Sequence, residues 1–188
     1  MKPSIYWLEA PDASRLAIMP RPRAGDWLDD EVAGWKAAGI DLVVSLLEQS
    51  EVAELDLAVE AMLCQAANID FVSFPIADRG VPASMKETEQ LVRRISVVLA
   101  DSKGVAVHCR AGIGRSSLIA ACVLVFAGHD CASVFSAIAK ARGLAVPDTD
   151  AQRAWVSEFQ AAVAVPPRAR NSGISARTTL TRPLRPPR

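Results

Sequence analysis

The chain has 188 residues, enough for one domain or one domain with a tail, and 51% of them are hydrophobic, which excludes a largely disordered protein. Its 21 basic and 21 acidic residues cancel, yet six arginines and no acid fall within 166–188, so residues 1–165 hold 15 basic and 21 acidic residues, a net of −6. A mildly acidic body argues against nucleic acid as the main partner, and no apolar run approaches the 18 residues that a membrane span requires.

The opening MKPSIYWLEAPD lacks the apolar run and cleavage site of a secretory signal. Residues 5–8 and 15–19 are short and apolar and predict strands. Asp26 is placed to cap a helix running through Val32 and Trp35 and ended by Gly39. Residues 40–47, IDLVVSLL, have the length and apolar character of a strand, and about 50–67 predicts one helix. A strand over 69–74 leads into FPIADRGVPAS, a loop broken by proline and glycine. From Ser84 a helix is signalled by Leu91, Ile95, Val98 and Leu99 at helical spacing, with Ser84 and Glu87 as a capping box.

Residues 104–108, GVAVH, predict a short buried strand, and 116–127, SSLIAACVLVFA, a helix apolar nearly all round. Two further helices fit Cys131–Arg142 and 149–163. Strands alternating with helices predict an α/β fold with a mostly parallel central sheet flanked by helices. Past Val165 the composition shifts to PPRARNSGISARTTLTRPLRPPR, so a folded domain over 1–165 and a basic, disordered tail over 166–188 are expected. The tail reads either as a solubilising terminus or as a segment that docks a partner or an anionic surface. Four cysteines (64, 109, 122 and 131) form neither a C-x-x-C pair nor a disulfide framework, which together with the N-terminus predicts a cytoplasmic location.

The chemistry is concentrated in VAVHCRAGIGRSS. A buried strand delivers Cys109 into a loop with glycines at 112 and 114, and a helix begins at Arg115. Glycines let successive N–H groups turn inward into an anion-binding nest, and the helix adds the positive end of its dipole. Such a setting favours thiolate over thiol and would hold three phosphoryl oxygens in line with the sulfur. Arg115, six residues after Cys109, offers a planar fork for two phosphate oxygens. Ser116 is placed to donate to the sulfur as it leaves. The loop lacks the Gly-Lys-Ser/Thr of a nucleotide P-loop and has serine at 117, where a dinucleotide site needs a third glycine. Two histidines, 108 and 129, do not make a metal set. Cys64 and Cys122 lie in apolar helical stretches and read as core residues.

His108-Cys109-Arg110-Ala111-Gly112-Ile113-Gly114-Arg115-Ser116 resembles the signature loop of the protein-tyrosine phosphatase superfamily, H-C-x-x-G-x-x-R-S/T. Phe74-Pro75-Ile76-Ala77-Asp78 is similar to the general-acid loop of its dual-specificity branch, with Asp78 31 residues before Cys109. The likeness runs over roughly 5–163 and is strongest to cyclin-dependent-kinase-associated phosphatases and small bacterial enzymes similar to them. The resemblance implies the cysteine-phosphatase fold and a phosphomonoesterase that needs no metal or organic cofactor. It implies Cys109 as nucleophile, Arg115 and the backbone of 110–114 as phosphate binders, and Asp78 as general acid. It also implies Ser116 as sulfur donor, and His108 as the residue that orders the loop and tunes the thiolate. Gln152 matches in position a glutamine that orients the hydrolytic water; a polar residue in the first turn of an exposed helix is the alternative. Arg110 and Arg79 either flank the pocket or are solvated surface arginines. The implied partner is a phosphorylated protein or peptide, with a phosphoinositide or other small phosphate ester as the alternative, and an inactive phospho-binding scaffold as a third.

Overall fold

The computed structural model of the chain describes residues 3–9 and 15–164. Five strands form one sheet: β1 (Tyr6–Trp7), β2 (Leu16–Pro20), β3 (Ile40–Ser45), β4 (Asp70–Ser73) and β5 (Gly104–Cys109). Their spatial order is β1-β2-β5-β3-β4, with β1 antiparallel to β2 and every other pairing parallel. The last strand in sequence therefore sits between β2 and β3. Registers pair Pro20 with Cys109 and Ser45 with His108, so the carboxyl ends of the three central strands finish at one edge. In open parallel sheets that edge, where connections leave in opposite directions, is where ligands bind.

Both faces of the sheet are covered, which explains why β2, β3 and β5 read as continuous apolar runs rather than alternating ones. Leu16, Ile18, Leu42, Val44, Val105 and Val107 point into one core, together with α4 (Met85–Ala100), α5 (Arg115–Phe126), α6 (Cys131–Arg142) and α7 (Asp150–Ala164). Ala17, Met19, Val43 and Ala106 face the other, with α1 (Leu28–Ala37) and α3 (Glu60–Ala66). Helix α5 is buried on all sides, as its composition predicts. Cys64 and Cys122 are core residues with free thiols; burial, reinforced by the Glu60 charge, pushes the Cys64 thiol up to about 12. No helix among the described residues is long and apolar enough to cross a membrane. The predicted tail over 166–188 lies outside the described residues.

The structure departs from the sequence-based elements in three places. The single helix expected over about 50–67 is two, α2 (Gln49–Glu54) and α3, because Asp56 turns into the left-handed region (φ 54°) and Leu57 drops into the core. No proline or glycine marks that break. Asp26 does not cap α1; it lies in a 3-10 turn, Gly25–Trp27, and the acids at 29, 30 and 31 supply the negative charge at the helix start. Ser84 does cap α4, its Oγ accepting the Glu87 N–H at 3.2 Å, one half of the expected box.

The start of β5 passes so close to the end of α1 that a side chain does not fit. A Cβ on Gly104 would fall on the Gly39 carbonyl oxygen, which is fixed in place by Arg15 Nη2 at 2.6 Å. Gly104→Ala is expected to lower the unfolding free energy by at least ~2 kcal/mol, read as a drop in the urea midpoint. An unchanged midpoint would show that this approach is looser than described.

Candidate active site

Strand β5 ends on Cys109, 3% exposed, and the chain turns through Arg110–Gly114 into α5. Gly112 has φ +68°, and a Cβ there would meet the Met19 and Pro20 backbone at 2.6 Å, so only glycine allows the loop to lie on the end of β2. At Gly114 a Cβ would meet side-chain ends rather than backbone, the Asp148 carboxylate and, at 3.0 Å, Gln152 Oε1. The Cys109 Sγ lies 3.5 Å from Ser116 Oγ, on the second residue of α5.

Arg115 is only 2% exposed and its guanidinium ties four segments together. Nη1 donates to Glu51 Oε2 at 2.5 Å and to the Ile76 carbonyl at 2.9 Å; Nη2 donates to Glu51 Oε1 at 2.9 Å. The Asp78 carboxylate reaches the same Nη2 at 3.0 Å. Nε makes no hydrogen bond among the described residues. Asp78 is exposed, on a turn closed by Gly80 N–H to the Ala77 carbonyl at 2.8 Å, with Arg79 at φ 55°. Residues 31 positions apart in sequence, Asp78 and Cys109, thus both act on the charge of one arginine.

Electrostatics follow from this packing. Burial alone would raise the Glu51 carboxyl, yet the hydrogen bonds from Arg115 and from the Glu48 N–H, the Arg115 charge and a hydrogen bond from Arg110 hold it below the usual carboxylate value. Burial likewise works against the Arg115 cation, and Glu51, with the charges of Cys109 and Asp78, more than restores it. Both members of this pair stay charged inside the protein.

His108 points to the opposite face of the sheet from Cys109. Its ring is fully buried, with Nε2 3.0 Å from Glu60 Oε1 of α3, within ion-pair distance but without hydrogen-bond alignment. Its carbonyl accepts the Leu46 N–H at 3.0 Å, joining the end of β5 to the exit of β3. Gln152 is not on an exposed surface: it is fully buried, accepts the Asp148 N–H at 3.1 Å and donates to the Gly80 carbonyl at 3.0 Å. It bridges the Asp78 loop and the start of α7 beside Gly114. Arg110 turns outward onto α2, with Nη2 2.6 Å from Glu54 Oε2 and Nε 3.3 Å from Glu51 Oε1. Arg79 is exposed. Ala111 and Ile113 complete the loop.

Sequence reasoning missed Glu51, Glu60 and Arg142. Glu51 looks like any acid in a helical first turn, and nothing local separates it from Glu48 or Glu54. Arg142 closes α6, where a basic residue suits the helix dipole anyway; here it donates from Nε to the Gly112 carbonyl at 2.9 Å and from Nη2 to the Ala111 carbonyl at 3.2 Å. Among the described residues, no group of three or more His, Cys, Asp or Glu side chains is arranged to hold a metal ion.

Comparison with known proteins identifies the family and the fold. A family model described as "Polymorphic toxin system, DSP-PTPase phosphatase" matches residues 17–129. The mouse (Mus musculus) protein tyrosine phosphatase domain-containing protein 1 is 37% identical over 97 residues, and that of Bos taurus 43% over 61 residues. The matched parts are 47% and 32% of this chain but 13% and 7% of those relatives, so the chain spans a small fraction of their length. The solved structure of kinase associated phosphatase, with serine replacing its catalytic-site cysteine, superposes with a TM-score of 0.79 at 20% identity, over 88% of this chain and 98% of that one. Tk-PTP in the active form gives 0.69 at 23% identity over 86% and 99%, and PTPMT1 gives 0.69 at 18% over 85% and 96%. These likenesses establish the cysteine-phosphatase fold.

Removing the Glu51 charge leaves the buried Arg115 cation without its main counter-ion. Glu51→Gln is expected to cost about 3 kcal/mol of stability at neutral pH. Because the folded-state carboxyl lies below its ordinary value of 4.5, its contribution is fully present above pH 4.5 and is lost as pH falls through the lowered value. Urea titrations of parent and variant should therefore converge in acid. A gap that stays constant with pH would assign the loss to packing rather than charge.

Proposed function

The chain belongs to this DSP-PTPase phosphatase family, a protein-tyrosine phosphatase-type hydrolase of the dual-specificity-like branch, and from that premise we propose that it is a cysteine-dependent phosphomonoesterase acting on phosphotyrosine, and on phosphoserine and phosphothreonine, in proteins. The observation that carries the reading is that, at the carboxyl edge of the sheet, Asp78 lies 3.0 Å from Arg115 Nη2, Cys109 lies 3.5 Å from the adjacent Ser116, and both Cys109 and Asp78 act on the Arg115 charge.

A phosphoryl group bound over the 110–114 loop meets backbone N–H groups and the N-terminal end of α5, which stabilise its equatorial charge. Arg115 contributes Nε–H and one Nη2–H, the fork left open by Glu51, so the anion takes Nη2 from Asp78. The Cys109 thiolate attacks phosphorus in line, forming the S–P bond as the P–O bond to the leaving group breaks. Asp78, on its exposed turn, delivers its proton to the departing oxygen. Water then attacks the phosphocysteine with Asp78 as base, and the Ser116 hydroxyl donates to the sulfur as it departs. Gln152 has one amide hydrogen and one carbonyl lone pair beyond its two bonds, enough to orient that water beside Gly114. His108 acts from behind, keeping the end of β5 in place.

The engagement of Arg110 with Glu51 and Glu54 favours a phosphoprotein over a polyphosphorylated inositol lipid, since it removes one cation from the pocket rim. Hydrolysis of para-nitrophenyl phosphate without metal and with reductant, over about pH 4–8, tests the mechanism. A bell-shaped profile is expected, abolished in Cys109→Ser and slowed ~10²–10⁴-fold in Asp78→Asn. Turnover surviving Cys109→Ser would refute it. Faster release of phosphate from inositol phospholipids than from a phosphotyrosine peptide would overturn the substrate class alone.

A further inference from the structure

An anion nest works only while its peptide planes keep their orientation, and this loop contains a hinge that makes reorientation cheap. Gly112, at φ +68°, lacks the Cβ that would restrict neighbouring peptides. A flip of either adjoining plane would turn a carbonyl oxygen toward the bound phosphate and an N–H away from it. Something outside the loop has to hold those planes.

Arg142 is built to do so. Its Nε–H and Nη2–H reach the carbonyls of Gly112 and Ala111, at 2.9 and 3.2 Å. A trans peptide is planar, with N–H and C=O pointing to opposite sides. Holding those two carbonyls therefore sends the N–H groups of Gly112 and Ile113 to the side away from Arg142. The guanidinium is itself fixed. It lies 4.3 Å from the Tyr6 ring of β1 and leaves the last turn of α6, which Gly143 ends in the left-handed conformation (φ 75°). Its charge also adds to the positive field of a loop that has to bind a dianion. Lysine does not substitute well, because a single ammonium on a flexible stem cannot fork to two adjacent carbonyls.

We propose that Arg142 is a positioning residue: it locks the 111–112 and 112–113 peptide planes so that the loop presents N–H groups to phosphate, with Tyr6 as its support. The proposal rests on the reading of 109–115 as a phosphate site, and the test separates the two. Binding of inorganic phosphate is measured by calorimetry in Cys109→Ser protein, which needs no turnover, alone and combined with Arg142→Met, Arg142→Lys or Tyr6→Leu. Arg142→Met should weaken phosphate ~10- to 100-fold, as expected for losing charge-assisted hydrogen bonds. Arg142→Lys should fall between Met and the parent, and Tyr6→Leu should show a loss of a few-fold. On the Cys109 background the same order should appear in kcat/KM for para-nitrophenyl phosphate.

A folded Arg142→Met protein that binds phosphate as tightly as its parent overturns the proposal. So does a loss that follows a lowered melting temperature and is not relieved by lysine. If Arg142→Met does not fold, the lysine variant decides alone: parental affinity overturns the proposal, and a weakened affinity at an unchanged melting temperature supports it. Failure of phosphate to bind the Cys109→Ser parent would instead overturn the phosphate-site reading, and this proposal with it.

Discussion

The buried pair between Arg115 and Glu51 is the constraint on which the rest of the site depends. A guanidinium 2% exposed cannot stay inside a protein without a counter-ion, and Glu51 supplies one through two hydrogen bonds. That one contact fixes where α2 must lie and holds the carbonyls of Leu46 and Ile76 close by. It also sets the plane of the fork facing the loop. A lone buried arginine of this kind would cost several kcal/mol; paired, it becomes a rigid cationic wall.

Acids and arginines divide the work around it. On one flank, Glu51 and Glu54 hold Arg110 away from the loop centre. On the other, Arg142 engages the loop carbonyls and Tyr6. Asp78 approaches from above on an exposed turn and Gln152 ties that turn to α7. The loop itself contributes little rigidity, since a glycine at 112 was needed to let it lie against the end of β2. Its shape is imposed from outside by charged side chains from α2 and α6 and by Gln152 of α7.

The sheet supplies the alignment. With β5 between β2 and β3, the ends of all three strands meet at Cys109, and period-two alternation sends Cys109 to the α5 side and His108 to the α3 side. A thiol on one face and an imidazole on the other is a geometric consequence of being neighbours in a strand. His108 therefore faces Glu60 rather than the sulfur, and the two are buried together.

Much of this was legible in the sequence. The strand–loop–helix with Cys109, two glycines, Arg115 and Ser116 is local, because chain connectivity alone brings those atoms within one turn of each other. The alternation of strands and helices predicted a mostly parallel sheet flanked by helices, and the all-round apolar α5 a buried helix. The break at Asp56, the burial of Gln152 and the roles of Glu51, Glu60 and Arg142 were not legible. Each depends on a partner from 30 to 72 residues away or on a buried neighbour such as Leu57, and in sequence each looks like an ordinary helix residue. The sequence by itself determined which reactive side chains share the 108–116 loop and the class of layered fold, since those follow from residue type and short-range periodicity. Only the tertiary structure decided which charges face one another, because ion pairing depends on distances that are set by how helices pack across the sheet.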